Sequence, residues 1–206
     1  MKKTEKPRQP DGRDRIIATS TSLFLELGYG GTSMSAIAKA CNMTKAALYY
    51  HFKSKEDLFS ACVTEGYADA LARLEEIAGD EKRSSKAKLT EAFRVIYETS
   101  ISTEVGRMSP LIAEVSRTVP AVARSFHDDY VSPQQETMWS ICREGMESGA
   151  FRSIDEKLLM HMIYGPVVTL SLSREMFASL ENLDALYPIE DLRDGHLNLL
   201  LEALGA

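Results

Sequence analysis

Residues 28–59 constrain the fold of this 206-residue chain more than any other segment. They contain two short helical patterns, 34–41 and 44–51, separated by only two residues. Apolar residues recur at helical spacing in both patterns, and Ser33 and Thr44 are suitable N-caps. Two short helices joined by a tight turn are typical of a helix-turn-helix.

The rest of the sequence is helical in pattern, with no convincing strand alternation, so we expect an all-α fold of about nine helices. The first helix covers 13–27 and stops at Gly28, and the fourth runs from Ser54 to about residue 77. Ser132-Pro133 is expected to break the chain, and Gly165-Pro166 to kink a long helix. Further helices are expected at 86–103, 109–117, 120–129, 133–148, 155–181 and 189–204.

Bulk composition excludes several classes of protein. No apolar run approaches the ~20 residues that a membrane-spanning helix needs. The basic start of the chain lacks the apolar stretch of a signal peptide. The three cysteines, Cys41, Cys62 and Cys142, are scattered and odd in number, which indicates reduced thiols in a cytoplasmic protein.

Charge is divided unevenly along the chain. Residues 1–55 contain ten Lys or Arg and four Asp or Glu, a net charge of +6, whereas residues 56–206 contain fourteen and twenty-six, a net charge of −12. A basic head on an acidic body suggests that the head alone meets a polyanion. Short basic N-termini are common, however, so charge alone does not establish this.

The head resembles the DNA-binding domain of TetR-family transcriptional regulators (TetR/AcrR type) over residues 24–59. The matches to the family pattern occur in order, which makes the resemblance specific; beyond residue 60 it concerns only helix number and length. The matching residues are Phe24, Gly28, Tyr29, Thr32, Ser33, Met34, Ile37, Ala38, Met43, Thr44, Leu48, Tyr49, His51, Phe52, Ser54, Lys55, Glu56 and Leu58.

Three departures from the family pattern lie in or near the turn. Cys41 stands where Ala is usual, a change of volume that a core can absorb. Asn42 replaces a Gly, and because Asn tolerates the left-handed backbone, we expect the turn to survive. Ala46 replaces a frequent Gly early in the recognition helix and affects how closely the backbone approaches DNA.

The resemblance implies three segments: a flexible basic arm at 1–12, a three-helix helix-turn-helix domain at 13–59, and a helical ligand-binding and dimerisation domain at 60–206. It further implies a homodimeric repressor, joined through about 155–181 and 189–204, that a small and largely apolar ligand releases from a palindromic operator on double-stranded DNA. We expect no enzymatic activity, cofactor or metal, and no association with membranes.

DNA contacts are expected from the recognition helix and from two helix starts. Lys45 reaches a guanine edge or a phosphate, unless it is only a solvated surface lysine. Tyr49 and His51 are expected on phosphates by resemblance, while Lys55 and a helix start form a phosphate clamp. The full set expected to contact DNA is Thr32, Ser33, Thr44, Lys45, Ala46, Ala47, Tyr49, Tyr50, His51 and Lys55.

The ligand pocket is harder to place, because aromatic and Met side chains at helical spacing are mostly core. The candidates for its lining are Tyr97, Ile101, Met108, Ile112, Phe126, Tyr130, Trp139, Cys142, Met162 and Tyr164.

Two other functional classes stay open at this stage. An enzyme would have to use acid–base groups such as His127-Asp128-Asp129 or His161, yet no nucleophile motif, phosphate loop or metal-ligand spacing surrounds them. A helical interaction module would have no affinity for any duplex. The two C-terminal helices could also complete a monomer core instead of forming a dimer.

Overall fold

The computed structural model describes residues 12–206 and is all-α in that range, as expected. The predicted arm lies outside the described residues, except for Gly12, which begins the first helix. The helices are α1 Gly12–Gly31, α2 Met34–Ala40, α3 Lys45–His51, α4 Lys55–Gly66, α5 Ala68–Gly79, α6 Ser85–Tyr97, α7 Glu104–Arg107, α8 Ser109–Ser116, α9 Pro120–Phe126, α10 Ser132–Glu147, α11 Glu156–Met176, α12 Leu183–Leu186 and α13 Ile189–Leu204. Two π-helical turns, Glu98–Ser102 and His127–Val131, follow α6 and α9.

The chain divides into two compact units between Cys62 and Val63. In the first unit, α1, α2, α3 and the start of α4 enclose a core with fully buried Phe24, Leu48 and Phe59. The rings of Phe24 and Phe59 meet edge to face with centroids 5.0 Å apart. Leu27, the last residue of α1 before Gly28, is 47% exposed.

Helix α1 is interrupted at Gly28, the predicted stop. Its φ of 71° and ψ of 168° lie outside the helical region, and helical structure resumes for Tyr29–Gly31. A side chain is strained at such a φ, so glycine suits this position. The break turns the chain so that the Thr32 hydroxyl donates to the carbonyls of Leu23 (3.2 Å) and Gly28 (2.8 Å).

The second unit is built around one hydrophobic core. Helices α5, α6, α10, α11 and α13 contribute its buried side chains, with Phe93, Met138 and Ile163 at its centre. Lys88 of α6 is almost fully buried and donates to Glu144 of α10 at 2.7 Å. This ion pair satisfies an ammonium group that would otherwise be buried at high cost.

The single long helix expected from Ser54 to residue 77 is two helices, α4 and α5, separated by Tyr67. Gly66 makes this possible, because a Cβ there would lie 2.6 Å from a methyl group of Val105. The Tyr67 ring turns inward and its hydroxyl donates to the Val105 carbonyl at 3.2 Å. A buried tyrosine therefore interrupts a helical pattern that the sequence presents as continuous.

Other helix ends also differ from expectation. The chain stays helical through Ser132-Pro133, because Pro133 occupies the first turn of α10, where its missing N–H has no intrahelical acceptor. The helix expected at 86–103 changes to a π-helical turn after Tyr97, and the one expected at 155–181 ends at Met176. The last helix, α13, agrees with the predicted 189–204.

Helix α11 continues through Pro166 because another helix supplies the missing hydrogen bond. Proline has no N–H, so the carbonyl of Met162, four residues earlier, loses its intrahelical donor. Nε2 of His196, on α13, lies 2.9 Å from that carbonyl oxygen, and Nδ1 lies 2.8 Å from the Tyr97 hydroxyl. Since a carbonyl only accepts, Nε2 carries the proton and Nδ1 accepts from Tyr97.

The three cysteines are buried free thiols, as the sequence indicated. Burial raises the pKa of the Cys142 thiol to about 12, which keeps it protonated and unreactive. Within residues 12–206, none of the helices has the length and apolar character required to cross a bilayer.

Candidate nucleic-acid interface

The turn between α2 and α3 is a Schellman motif with asparagine in the glycine position. Asn42 has a φ of 54°, and it is the one non-glycine residue with positive φ in the described part of the chain. The N–H of Asn42 donates to Lys39 O (3.1 Å) and that of Met43 to Ala38 O (2.9 Å). These bonds close the C-terminus of α2, so the expectation that Asn42 preserves the turn is confirmed.

Both helices of the motif begin with a side-chain cap. The Ser33 hydroxyl accepts from the N–H of Ala36, and the Thr44 hydroxyl accepts from the N–H of Ala47, each at 3.1 Å. Each cap satisfies one otherwise unpaired donor of the first turn. The remaining N–H groups there point out of the helix start, where a phosphate oxygen could accept them.

Two apolar side chains, Leu48 on α3 and Phe52 directly after it, pack α3 into the core of the first unit, and both are almost fully buried. The guanidinium of Arg13, from α1, lies 4.9 Å from the centroid of the Phe52 ring. The spacing of four residues puts both side chains on one face of the helix. The opposite face is therefore directed to solvent.

That outer face carries most of the residues expected to contact DNA. Tyr50 is 88% exposed and Tyr49 is 42% exposed. Lys45, Ala46 and His51 are exposed as well, and Ala47 is half-buried. The Lys45 ammonium lies 5.9 Å from the Tyr49 ring centroid. The unit buries little of the Tyr50 ring, and so large an exposed aromatic surface favours a role in binding.

Thr32 and Lys55 have other partners than those expected. The Thr32 side chain is buried and bonded to α1, so only its backbone is available to a phosphate. The Lys55 ammonium donates to Tyr29 O (2.8 Å) and Thr32 O (3.1 Å) and lies 4.1 Å from the Tyr29 ring centroid. Lys55 thus ties the end of α1 to the start of α4.

Tyr29 and Glu56 complete this connection. The Tyr29 hydroxyl donates to the Glu56 carboxylate at 3.0 Å. Desolvation by burial and the Glu56 carboxylate raise the pKa of Tyr29, and backbone and Ser54 hydrogen bonds lower the pKa of Glu56. Tyr29 therefore stays a neutral donor and Glu56 an anionic acceptor at neutral pH. Sequence reasoning assigned neither residue a role, because their contact spans 27 positions.

The second unit contains an apolar cavity of about 340 Å³. Four of the ten predicted ligand residues line it: Ile112, Phe126, Tyr130 and Tyr164. Tyr97 lines a separate, polar groove of about 420 Å³. The other five lie elsewhere. Met108 and Cys142 are fully buried, and Cys142 and Ile101 belong to the core of the second unit, whereas Trp139 and Met162 are partly buried.

Sequence reasoning missed further lining residues on α8, α10 and α11, in the two π-helical turns and directly after α4. They are Tyr67, Ser100, Ser109, Ala113, Val131, Gln134, Gln135, Val167, Val168, Ser171 and Leu172. Tyr67 is the most informative of these, because its ring stacks on Tyr130 with centroids 3.9 Å apart. An aromatic residue directly after Gly66, inside an otherwise regular helical pattern, was the available signal.

Comparison with known sequences points to the same segment. Residues 16–62 match the family model described as "Bacterial regulatory proteins, tetR family". IcaR of Staphylococcus aureus (strain Newman), the biofilm operon icaADBC HTH-type negative transcriptional regulator, is 47% identical over 51 residues, which cover 25% of this chain and 27% of IcaR. IcaR of Staphylococcus epidermidis is 43% identical over 51 residues, covering 25% and 28%. The chain thus spans about a quarter of the length of the curated relatives it matches.

Solved structures resemble the chain over nearly its whole length. FadR from Bacillus subtilis, a transcriptional regulator solved in complex with stearoyl-CoA, superposes with a TM-score of 0.76 at 22% identity, covering 92% of this chain and 98% of FadR. Salmonella enterica GusR gives a TM-score of 0.74 at 20% identity, covering 98% and 100%. At these identities the likeness shows a shared fold alone.

Proposed function

We propose that this chain, whose residues 16–62 match the TetR-family model, is a TetR-family regulator and acts as a sequence-specific DNA-binding repressor. It binds a palindromic operator as a homodimer and leaves it when a small molecule occupies the second unit. The name of IcaR, a negative transcriptional regulator, supports repression over activation.

The observation that carries the proposal is the geometry of α2 and α3. A Schellman turn and two hydroxyl caps fix both helices, and buried Leu48 and Phe52 fix the inner face of α3. Lys45, Tyr50 and His51 then project from the outer face, with few partners within the unit. A helix presented in this way fits the major groove, where Lys45 reaches a guanine edge and Tyr50 contacts a base or phosphate.

A dimer is supported by apolar side chains that α11 and α13 leave exposed. Leu158 and Val168 on α11 are more than half exposed, as is Leu199 on α13, at 66%. A second copy of the chain would cover these side chains through an isologous interface. Two recognition helices related by a two-fold axis would then read two half-sites, which supplies specificity that one short helix lacks.

Ligand response is supported by the cavity and by where Tyr67 lies in the chain. Tyr67 lines the cavity and directly follows α4, the helix that begins with Lys55 in the first unit. A ligand that prefers one arrangement of Tyr67 would bias the conformation of α4. By linkage, operator DNA would then weaken ligand binding by the same factor.

Fluorescence anisotropy tests the proposal. The full-length protein is titrated onto a duplex from its own promoter region and onto a scrambled duplex, across a series of salt concentrations. We expect a large preference for the promoter duplex and a steep fall in affinity with salt, since each neutralised phosphate releases counterions.

A double variant and a charge-matched control identify the interface. Lys45→Ala with Tyr50→Ala should abolish the preference and flatten the salt dependence, whereas Lys86→Ala, an exposed lysine of the second unit, should leave both unchanged. Failure to bind any duplex at low salt would refute the proposal and favour a helical interaction module.

A further inference from the structure

We infer that the cavity of the second unit selects an uncharged ligand with a planar aromatic portion and a hydrogen-bond acceptor, and that it discriminates against carboxylates and CoA thioesters. This inference rests on the proposed ligand response and specifies its chemistry.

The lining excludes an anionic group. Among the described residues that line the cavity there is no Asp, Glu, His, Lys or Arg. A carboxylate or phosphate that entered would lose its hydration without gaining a charged partner. The polar groups present are neutral hydroxyls and amides, including Ser109, Gln134 and Ser171, which suit neutral acceptors and donors.

One wall of the cavity is built from three rings in contact. Tyr67 and Tyr130 stack at 3.9 Å with an interplanar angle of 17°, and the Phe126 centroid lies 5.6 Å from each of them. A planar conjugated ligand extends such a stack with favourable ring geometry, which a saturated chain cannot reproduce. Aliphatic side chains of α8 and α11, such as Ile112 and Val167, supply apolar contacts.

The size of the cavity limits the ligand to a few rings. Its volume of about 340 Å³ is at the lower end of the range of about 300–1,000 Å³ typical of small-molecule pockets. The nucleotide and phosphates of a CoA thioester exceed this volume, so that part of the molecule would have to stay outside the cavity.

Tyr130 lines the cavity, and we assign the directional contact to its hydroxyl. Gln134 is buried, and its Nε2 donates to the Tyr130 oxygen at 2.5 Å. A phenol that accepts a hydrogen bond keeps its own proton for donation. Burial also raises the pKa of Tyr130, so the group remains a donor at neutral pH. A ligand carbonyl within reach of this hydroxyl would accept its proton.

Isothermal titration calorimetry on the full-length protein tests the inference with four probes: 2-acetylnaphthalene, which has a ketone acceptor, 2-ethylnaphthalene, which has none, 2-naphthoate, which is anionic, and palmitoyl-CoA. We expect the ketone to bind at least 10-fold tighter than 2-naphthoate or palmitoyl-CoA at pH 7.5. Tyr130→Phe should weaken binding of the ketone by about 3- to 10-fold, the equivalent of one hydrogen bond, and leave 2-ethylnaphthalene unchanged.

A second variant keeps the inference testable if the Tyr130→Phe protein does not fold. Ala113 is exposed at the surface and lines the cavity, so Ala113→Phe should fill space there and weaken binding of both neutral naphthalenes by at least 10-fold. Ala121→Phe, at an exposed position of α9 outside the lining, is the matched control and should not.

The inference would be overturned if 2-naphthoate or palmitoyl-CoA bound more tightly than the ketone. It would also be overturned if protein that binds its operator did not bind the ketone, or if Ala113→Phe bound the ketone as tightly as the unaltered protein. Absence of DNA binding in protein that still binds the ketone selectively would instead refute the proposed function and leave the ligand class intact.

Discussion

Lys55 is predicted to stabilise the first unit more than it contributes to DNA binding, and Lys55→Met tests this. The substitution keeps most of the aliphatic stem and removes the ammonium group. The ammonium group bonds two carbonyl oxygens, of Tyr29 at 2.8 Å and Thr32 at 3.1 Å, and lies 4.1 Å from the Tyr29 ring centroid. All three contacts connect the end of α1 to the start of α4.

The expected cost follows from those contacts. Hydrogen bonds to a charged group contribute about 1.5–3 kcal/mol each, and a cation–π contact at a partly exposed site about 0.5–1 kcal/mol. Lys55 is only partly buried, so water replaces much of what is lost, and we expect a net loss of about 2–3 kcal/mol in the opening free energy of the first unit. That loss corresponds to a fall in amide protection of roughly 30- to 150-fold.

Hydrogen–deuterium exchange followed by mass spectrometry measures this unit by itself, which matters because a chain of two units need not unfold in one step. Peptides from α1 and α2 should lose protection in Lys55→Met, while peptides from α10 should not. Lys45→Met is the matched control, because Lys45 is exposed on α3; it should change stability by less than about 0.5 kcal/mol and still weaken DNA binding.

The alternative is that Lys55 acts mainly as a phosphate clamp. Lys55→Met would then keep its full protection, weaken DNA binding uniformly, and lower the slope of log affinity against log salt by about one. That combination would refute the structural role assigned from the hydrogen bonds.

Three further predictions concern other parts of the chain. Asn42→Val should lower the stability of the first unit by about 1–2 kcal/mol, because a β-branched residue resists the left-handed backbone there, whereas Asn42→Gly should be tolerated in the same exchange experiment. Leu199→Glu should convert a dimer to a monomer in analytical ultracentrifugation and weaken operator binding, since it places a charge on the exposed apolar face of α13; an unchanged sedimentation coefficient would exclude this face as the interface. Burial lowers the pKa of His196 in the folded protein. The contribution of neutral His196 to stability is therefore complete above the unfolded pKa of about 6.5 and is lost as the pH falls through the folded pKa. Urea midpoints at pH 7.5 and 5.5 should differ more in the unaltered protein than in His196→Gln.

Much of the first unit could be predicted from the sequence because its determinants are local. Caps, the left-handed turn and the apolar face of α3 depend on residues within three or four positions of one another, and Ser33, Thr44, Asn42 and Leu48 all behave as expected. The inward turn of Thr32 and the carbonyl partners of Lys55 were not predictable, because they depend on residues from 9 to 26 positions away.

The second unit shows the limit of local reasoning more clearly. Its helical class followed from periodicity, but the break at Tyr67 depends on Val105, and the passage of α11 through Pro166 depends on His196 of another helix. Periodicity identifies which side chains face inward, but not whether they pack against one another or leave a cavity. Cys142 and Phe126 therefore could not be distinguished from the sequence. Only the packing shows that Cys142 belongs to the core and that Phe126 lines the cavity. The sequence by itself therefore determined the helix-turn-helix, where short-range hydrogen bonds dominate, and the tertiary structure decided the cavity and its chemistry, where contacts between distant helices dominate.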